Sequence, residues 1–341
     1  PPRSTLFPYT TLFRSPNPMR APRTFLALLL ALPLLLALSL LAGPSGFGLP
    51  DLATATGRAL LELRLCRLAT GFVVGAALSC SGCALQAVLR NPLAEPYVLG
   101  VSSGGSLGAA LVIATGLAAL SPLALPAGAF LAAALTLLLV CLLAGRADGY
   151  APNTLILTGV VAGSMLSSML MLVLTFAKTR AVHSITWWML GNLQPTSWTL
   201  LLAIAALTAF ALAVLLGQTR TLNALLLGHE TAHNLGVRTR LAVPCILAAA
   251  TLAAAAAVAV SGIIGFVGLI VPHALRRLVG ADHRRLLPGC ALLGGAFLVL
   301  CDTLARTLCA PQEIPVGVVT ALAGGPFFLY LLATRKNPAA T

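Results

Sequence analysis

The polar stretch QTRTLNALLLGHETAHNLGVRTR, Gln218–Arg240, lies between two apolar runs: SWTLLLAIAALTAFALAVLLG at 197–217 and LAVPCILAAATLAAAAAVAVS at 241–261. A transmembrane helix needs about 20 mostly apolar residues, and each run has this length. The alternation therefore predicts two membrane-crossing helices joined by a segment that lies in water.

The same apolar pattern continues along the whole chain. Of 341 residues, 59% are hydrophobic and 9% are charged, and the mean hydropathy is +0.98. Soluble domains carry about 25% charged residues. Runs rich in Leu, Ala, Val and Gly favour helices over the weak alternation of a membrane barrel. The sequence predicts an all-α polytopic membrane protein with ten spans, at 25–42, 63–89, 95–115, 123–144, 154–176, 197–217, 241–261, 263–279, 286–309 and 316–333.

The basic residues indicate membrane topology. The net charge of +13 comes from Lys and Arg residues placed singly or in pairs at the ends of apolar runs, which is not typical of a nucleic-acid-binding surface. Ten spans put both termini on one side. A cytoplasmic N-terminus leaves the smaller basic set outside, and it places 218–240 in the cytoplasm. The outer set is Arg58, Arg64, Arg67, Lys178, Arg180 and Arg306.

The first residues differ in character from everything that follows. PPRSTLFPYTTLFRSPNP at 1–18 has no counterpart in the rest of the chain, and Met19 follows directly. We expect 1–18 to be a non-native extension and 19–341 to form a single ten-helix domain.

A short helix is predicted inside the polar stretch. Gly228, Ala232 and Leu235 fall on one helical face and Glu230 and His233 on another. Gly236 follows, as a residue able to adopt positive φ at a helix C-terminus. Spacing alone is equally typical of an ordinary amphipathic helix at the membrane surface.

Two interruptions of apolar runs are candidate parts of a transport pathway. Asn91-Pro92 opens a proline-containing break between the second and third spans, and Gly324-Gly325-Pro326 falls in the middle of the tenth. Breaks in a transmembrane helix are tolerated where protein or a water-filled cavity satisfies the freed backbone groups. We therefore expect a broken tenth helix.

Chemistry of other kinds has little support. The five histidines show no metal-ligand spacing, and no catalytic constellation is present. Asp302 lies inside a span, one helical turn before Arg306, and is expected to pair with it. An acid at such a place keeps a proton-coupled secondary carrier open as an alternative, beside a non-transporting scaffold. No Walker A lysine loop exists, so another subunit must supply any ATP hydrolysis.

Several motifs together resemble one family. They include GAALSCSGCALQAVLRNPLAEPYVLGVSSGGSLGA from Gly75, SGIIGFVGLIVPHALRRLVGADHRRLLP from Ser261 and EIPVGVVTALAGGPFF from Glu313. With the motif at 227–237, they resemble the FecCD-type permease subunits of bacterial ATP-binding-cassette importers for iron-siderophores, haem and cobalamin.

This resemblance implies the type II importer fold, the bacterial inner membrane and a set of partners. The partners are a second copy or close paralogue, two cytoplasmic ATPase subunits that hold ATP and Mg, and a periplasmic substrate-binding protein. No cofactor is implied for this chain itself. The family's coupling helix, which docks on the ATPase, matches residues of the polar stretch: Gly228, His229, Glu230, Ala232, His233, Leu235 and Gly236.

The resemblance also implies roles at the outer face and at an inner gate. Arg64, Arg67 and Arg306 match arginines that grip acidic residues of the binding protein, a role that suits bidentate carboxylate pairing. Arg64-Leu65-Cys66-Arg67 departs from the family's Arg-x-Pro-Arg. The gate loop corresponds to the place of Pro152 and Asn153.

Overall fold

The computed structural model describes residues 20–43, 46–194 and 197–333, and the segment 1–18 lies outside them. Within these ranges the helices are joined by turns and loops, and the other regular elements are a small antiparallel hairpin, β1 (Ala42–Gly43) with β2 (Gly46–Phe47), and two 3-10 turns, Pro96–Leu99 and Leu117–Ala119. The helices are α1 (Arg20–Leu41), α2 (Ala55–Val88), α3 (Val101–Ala114), α4 (Ala124–Asp148), α5 (Pro152–Phe176), α6 (Thr179–Met189), α7 (Trp198–Gly217), α8 (Thr219–Leu225), α9 (His229–Asn234), α10 (Thr239–Ser261), α11 (Val267–Val279), α12 (His283–Thr307) and α13 (Val316–Ala333).

Each of the ten predicted spans corresponds to a helix. Among the described residues, α2, α4, α5, α7, α10 and α12 are long and apolar enough to cross a membrane. Helices α3 and α11 are shorter, with 14 and 13 residues, and the apolar parts of α1 and α13 are short, at Phe25–Leu41 and Val316–Tyr330. Four predicted starts were wrong by four residues or more. The first helix begins five residues earlier than predicted, at Arg20. The second span begins earlier, where Thr54 caps α2 by accepting a hydrogen bond from the Gly57 amide. The third and eighth begin later, because 3-10 or non-helical backbone precedes Val101 and Val267.

Helix α2 is the centre of the bundle, and glycines allow its close packing. Its apolar stretch is 78% buried. A Cβ at Gly75 would overlap the carbonyl oxygen of Gly294 in α12, and a Cβ at Gly82 would overlap that of Gly268 in α11. Small residues at such crossings let transmembrane helices approach until their backbones touch.

Helix α6 was not predicted. It follows α5 and carries Trp187 and Trp188. Its one fully buried side chain is Ile185, while most of its other residues are half-buried or exposed. Because only one side of α6 packs against the bundle, its sequence contains no long apolar run, and the apolar pattern did not predict it.

The predicted break in the tenth span was also wrong, because α13 is one continuous helix through Gly324, Gly325 and Pro326. A proline within a helix removes one backbone donor but does not have to end the helix. Gly324 instead provides space, since a Cβ there would overlap the ring of Phe266.

Helix α12 connects two polar clusters, one at each of its ends. Its 25 residues span about 37 Å at 1.5 Å per residue. Asp302 and Arg306 lie near its last turn, and we name that side the arginine end. Asp282 and His283 lie at its start, beside the connection that holds α8 and α9, and we name that side the α9 end.

Candidate functional site

At the arginine end, Arg67 is shared between two carboxylates. Its Nη2 lies 2.8 Å from Asp302 Oδ1, and its Nε lies 3.1 Å from each oxygen of the same carboxylate. Its Nη1 lies 3.1 and 3.0 Å from the two oxygens of Glu313. Asp302 is buried, whereas the Glu313 side chain is 40% exposed. One guanidinium thus links α2 both to the interior of α12 and to the surface segment before α13.

Arg306 is buried within the same network. Its Nε lies 3.4 Å from Asp302 Oδ2, so the ion pair expected one turn apart is confirmed. Its Nη1 donates to the Ala42 carbonyl at 2.7 Å, and its Nη2 donates to the Ser39 carbonyl and, at 3.0 Å, to the Ser39 hydroxyl. With 4% of the residue exposed, Arg306 joins α12 to the end of α1 and to β1.

Arg64 has a similar internal role. Its Nη1 donates to the carbonyls of Leu40 at 3.1 Å and Gly48 at 2.9 Å. Gly43 makes room for its Nη2, since a Cβ at that position would overlap the guanidinium. Arg64 therefore ties α2 to both sides of the hairpin.

The three arginines matched to binding-protein docking thus lie together but differ in how they could meet a partner. Arg64 and Arg306 donate to backbone carbonyls of their own chain. Arg67 donates to a carboxylate at the surface. Their docking role stays a prediction.

At the α9 end, the predicted short helix is α9, His229–Asn234, preceded by α8. Gly236 has φ of 85°, which confirms the expected positive φ after the helix, and Gly228 has φ of 115° before it. Ala232 is fully buried, whereas Leu235 is 63% exposed. The face predicted from Gly228, Ala232 and Leu235 is therefore partly buried and partly exposed. The surface of α9 is formed by Glu230, Thr231, His233 and Asn234.

A hydrogen-bonded clamp holds α8 to α12. Asn223 in α8 donates through Nδ2 to Asp282 Oδ1 at 2.7 Å, and its Oδ1 lies 2.9 Å from the backbone N and 2.7 Å from Nδ1 of His283. The pKa of Asp282 lies below its ordinary value. Partial burial alone would raise it, but hydrogen bonds from Asn223 and the Arg284 amide, together with the positive charges nearby, outweigh that effect. The clamp therefore contains an ionised carboxylate at neutral pH.

The non-helical segment between α10 and α11 is bound by side chains from the segment between α2 and α3. The Tyr97 hydroxyl accepts from the Ile264 amide at 3.0 Å and donates to the Ile264 carbonyl at 2.8 Å. The Glu95 carboxylate accepts from the amide of Phe266, a non-glycine residue with φ of 68°. Backbone groups freed between α10 and α11 are thus satisfied by side chains from the segment between α2 and α3.

The predicted pathway and gate residues are distributed over separate places. Asn91 and Pro92 lie in the turn after α2, where the Asn91 side chain accepts from the Leu93 amide at 2.9 Å. Pro152 is the first residue of α5 and Asn153 is exposed beside it. In α13, Gly324 is buried, while nothing lies within 4 Å of a Cβ placed at Gly325, and Pro326 is exposed. The pathway role of these residues stays a prediction.

Across the part of the chain that the structure describes, no group of three or more His, Cys, Asp or Glu side chains could hold a metal ion. Cys80, Cys83 and Cys290 are free thiols buried in the core.

Sequence comparison shows where the chain belongs. Residues 28–334 match the model of the FecCD transport family. The chain belongs to this family. It is 42% identical to the cobalamin import system permease protein BtuC of Halobacterium salinarum over 296 residues, which is 86% of this chain and 78% of the relative. It is 38% identical to the hemin transport system permease protein HmuU of Yersinia pestis, over 81% of this chain and 84% of that protein.

A solved structure has the same fold as this FecCD member. It is an inward-facing metal-chelate type ABC transporter chain with a TM-score of 0.82 and 34% sequence identity. The match covers 92% of this chain and 99% of the solved one. The protein is therefore a membrane-embedded, multi-pass FecCD permease with an all-α fold.

Some polar partners in this FecCD chain could not be found from local sequence. Glu313 is 246 residues from Arg67, and Asn223 is 60 residues from His283. Glu313 lies in the quoted motif EIPVG, and Asn223 lies in the polar stretch Gln218–Arg240. A charged or amide side chain in so apolar a chain was the available signal.

Proposed function

We propose that this chain is the transmembrane permease subunit of an ATP-driven importer that moves an iron-siderophore, haem or cobalamin-type substrate across the bacterial inner membrane, with both termini in the cytoplasm. ATP and Mg belong to two separate ATPase subunits, and this chain is not itself an enzyme. A periplasmic substrate-binding protein delivers the substrate. The named activities of the relatives support this substrate class.

The observation that carries the proposal is α9. A six-residue helix with an exposed polar surface stands between α8 and α10, and its buried Ala232 anchors it to the bundle. The clamp at Asn223 connects the neighbouring α8 directly to α12. A movement of α9 caused by an ATPase can therefore be transmitted through α8 and the hydrogen bonds of Asn223 to α12, which crosses the bundle.

In this proposal the docking surface of α9 is its exposed side. Glu230, His233 and Leu235 are exposed and reachable by the ATPase, and Gly228 and Gly236 set the chain direction at the two ends. Ala232 is buried and contributes by packing against the rest of the bundle. Helix propensity contributes little in so short a helix, so its geometry depends on this packing.

A second copy, or a close paralogue, would cover α5. Only 22% of its apolar stretch is buried, against 78% for α2. Its exposed Ser164 and Ser168 satisfy their hydroxyls on their own helix, by donating to the Val160 and Ser164 carbonyls. Met165 and Met169 are exposed beside them, so a second helix would cover a mainly apolar face.

The secondary-carrier alternative depends on Asp302, and the surroundings of this residue disfavour it. A proton-carrying acid must be able to exchange its proton. Asp302 is held by two guanidinium groups and is buried, so its charge is matched within the chain.

The test is ATPase capture and coupling. Glu230→Arg should leave membrane insertion intact but abolish copurification of an ATPase and substrate-stimulated hydrolysis in proteoliposomes. Gly228→Trp should do the same, because the φ of 115° at this position disfavours a side chain. The control is Arg58→Glu, which changes an exposed charge on α2. Normal stimulated hydrolysis in the Glu230→Arg protein would contradict the proposed coupling.

A further inference from the structure

The guanidinium group of Arg67 donates hydrogen bonds to two carboxylates, one buried and one near the surface. The edge formed by Nε and Nη2 lies on Asp302, and Nη1 points to Glu313. A guanidinium offers its donors in a rigid plane, so the edge used for one carboxylate cannot serve a second one. A carboxylate that approaches Arg67 from outside therefore competes with Glu313 for Nη1.

The two carboxylates differ in how easily they can be replaced. Asp302 is buried and also pairs with Arg306, and breaking a buried pair leaves an uncompensated charge. Glu313 is 40% exposed, and an exposed ion pair contributes only about 0.2 to 1 kcal/mol and weakens as salt rises. The outer carboxylate is exchangeable and the inner one is fixed.

We infer that Glu313 is an internal stand-in for a carboxylate of the substrate-binding protein, which docks by displacing Glu313 from Arg67. The inference rests on the proposed function. Of the three arginines in the docking prediction, Arg67 is the one whose contact can be exchanged, because Arg64 and Arg306 donate to backbone carbonyls. Those two bind the end of α1, β1 and the segment at Gly48.

Displacement of Glu313 would release a contact close to the start of α13. Glu313 stands three residues before the start of α13, and the next amide, that of Ile314, donates to the Ala305 carbonyl at 2.9 Å. The pair with Arg67 is the tie between this segment and α2. Docking would break that tie and leave α13 held at its start by α12 and by the contact of Gly317 with Gly191.

Competition between Glu313 and the partner's carboxylate predicts the direction in which the binding affinity changes. The permease–ATPase complex is placed in lipid nanodiscs, and the affinity of the transporter's purified substrate-binding protein is measured at 50 and 500 mM salt, about a threefold difference in Debye length. If Glu313 competes with the partner, Glu313→Gln should tighten binding about twofold to fivefold at low salt, with a smaller gain at high salt. A contact residue or a purely structural residue would give weaker or unchanged binding.

Two controls separate competition from a general charge effect. Glu62→Gln removes one negative charge from an exposed residue of α2 that binds the Trp198 indole, and it leaves Arg67 untouched. It should change affinity less than Glu313→Gln does. In an Arg67→Lys background the net charge is kept but the fork is lost, so Glu313→Gln should no longer tighten binding.

A second measurement needs no partner. Phenylglyoxal modifies accessible arginines, and mass spectrometry should show faster modification of Arg67 in Glu313→Gln than in the parent or in Glu62→Gln. Equal rates, or a Glu313→Gln protein that binds no tighter while Arg67→Lys binds more weakly, would overturn the inference and leave the proposed function standing. Failure of the parent complex to bind the substrate-binding protein at all would overturn the proposed function, and the inference with it.

Discussion

Replacement of Asp302 by Asn should strongly destabilise the arginine end. The change keeps the size of the side chain and removes one negative charge between two guanidinium groups. Arg306 would then keep only neutral partners, the Ser39 and Ala42 carbonyls and the Ser39 hydroxyl, in a site where 4% of the residue is exposed. Removing one partner of a buried ion pair costs about 3 to 5 kcal/mol.

Matched variants separate the buried charge from the surface one. Glu313→Gln breaks the exposed half of the Arg67 contact and should cost at most about 1 kcal/mol. Asp302→Asn combined with Arg306→Met removes both charges of that pair, so it should recover the part of the loss that comes from Arg306, while Arg67 keeps its pair with Glu313.

The free energy of unfolding can be measured by titrating detergent micelles with SDS and following tryptophan fluorescence. A cost for Asp302→Asn no larger than that for Glu313→Gln would refute the reasoning. It would mean that the carbonyl groups alone balance the charge of Arg306.

Three further changes test other contacts. Gly82→Ala should impair expression and monodispersity, because the new Cβ overlaps a backbone oxygen of α11, while Gly325→Ala, in open space, should be tolerated in the same size-exclusion assay. Asn223→Ala removes both bonds that connect α8 to His283, so hydrogen exchange in 219–235 should rise while that of α2 stays unchanged. Tyr97→Phe leaves a buried amide and carbonyl without their side-chain partner and should cost about 1 to 3 kcal/mol in the SDS titration; no measurable cost would contradict the assigned role of the hydroxyl.

Features that depend on near neighbours in sequence could be predicted. The apolar runs located ten helices, because the cost of unsatisfied backbone in lipid leaves a long apolar segment few other structures. The positive φ of Gly236 and the pair between Asp302 and Arg306 also follow from local spacing.

Other features depend on which helices pack together. The continuity of α13 through Pro326 was not predicted, because the cost of a proline depends on the surroundings of its turn. The burial of Ala232 and exposure of Leu235 likewise depend on how α9 lies against the bundle.

The sequence by itself determined that this chain lies in a membrane as a bundle of helices, and its motifs indicated the family. Hydrophobicity and helical periodicity are properties of neighbouring residues, so no tertiary information was required. Only the tertiary structure decided that Arg67 meets Asp302 and Glu313 and that Arg306 is enclosed by α1 and β1. These contacts join residues more than 200 positions apart, and helix packing, which small residues permit at particular crossings, determines which of them meet.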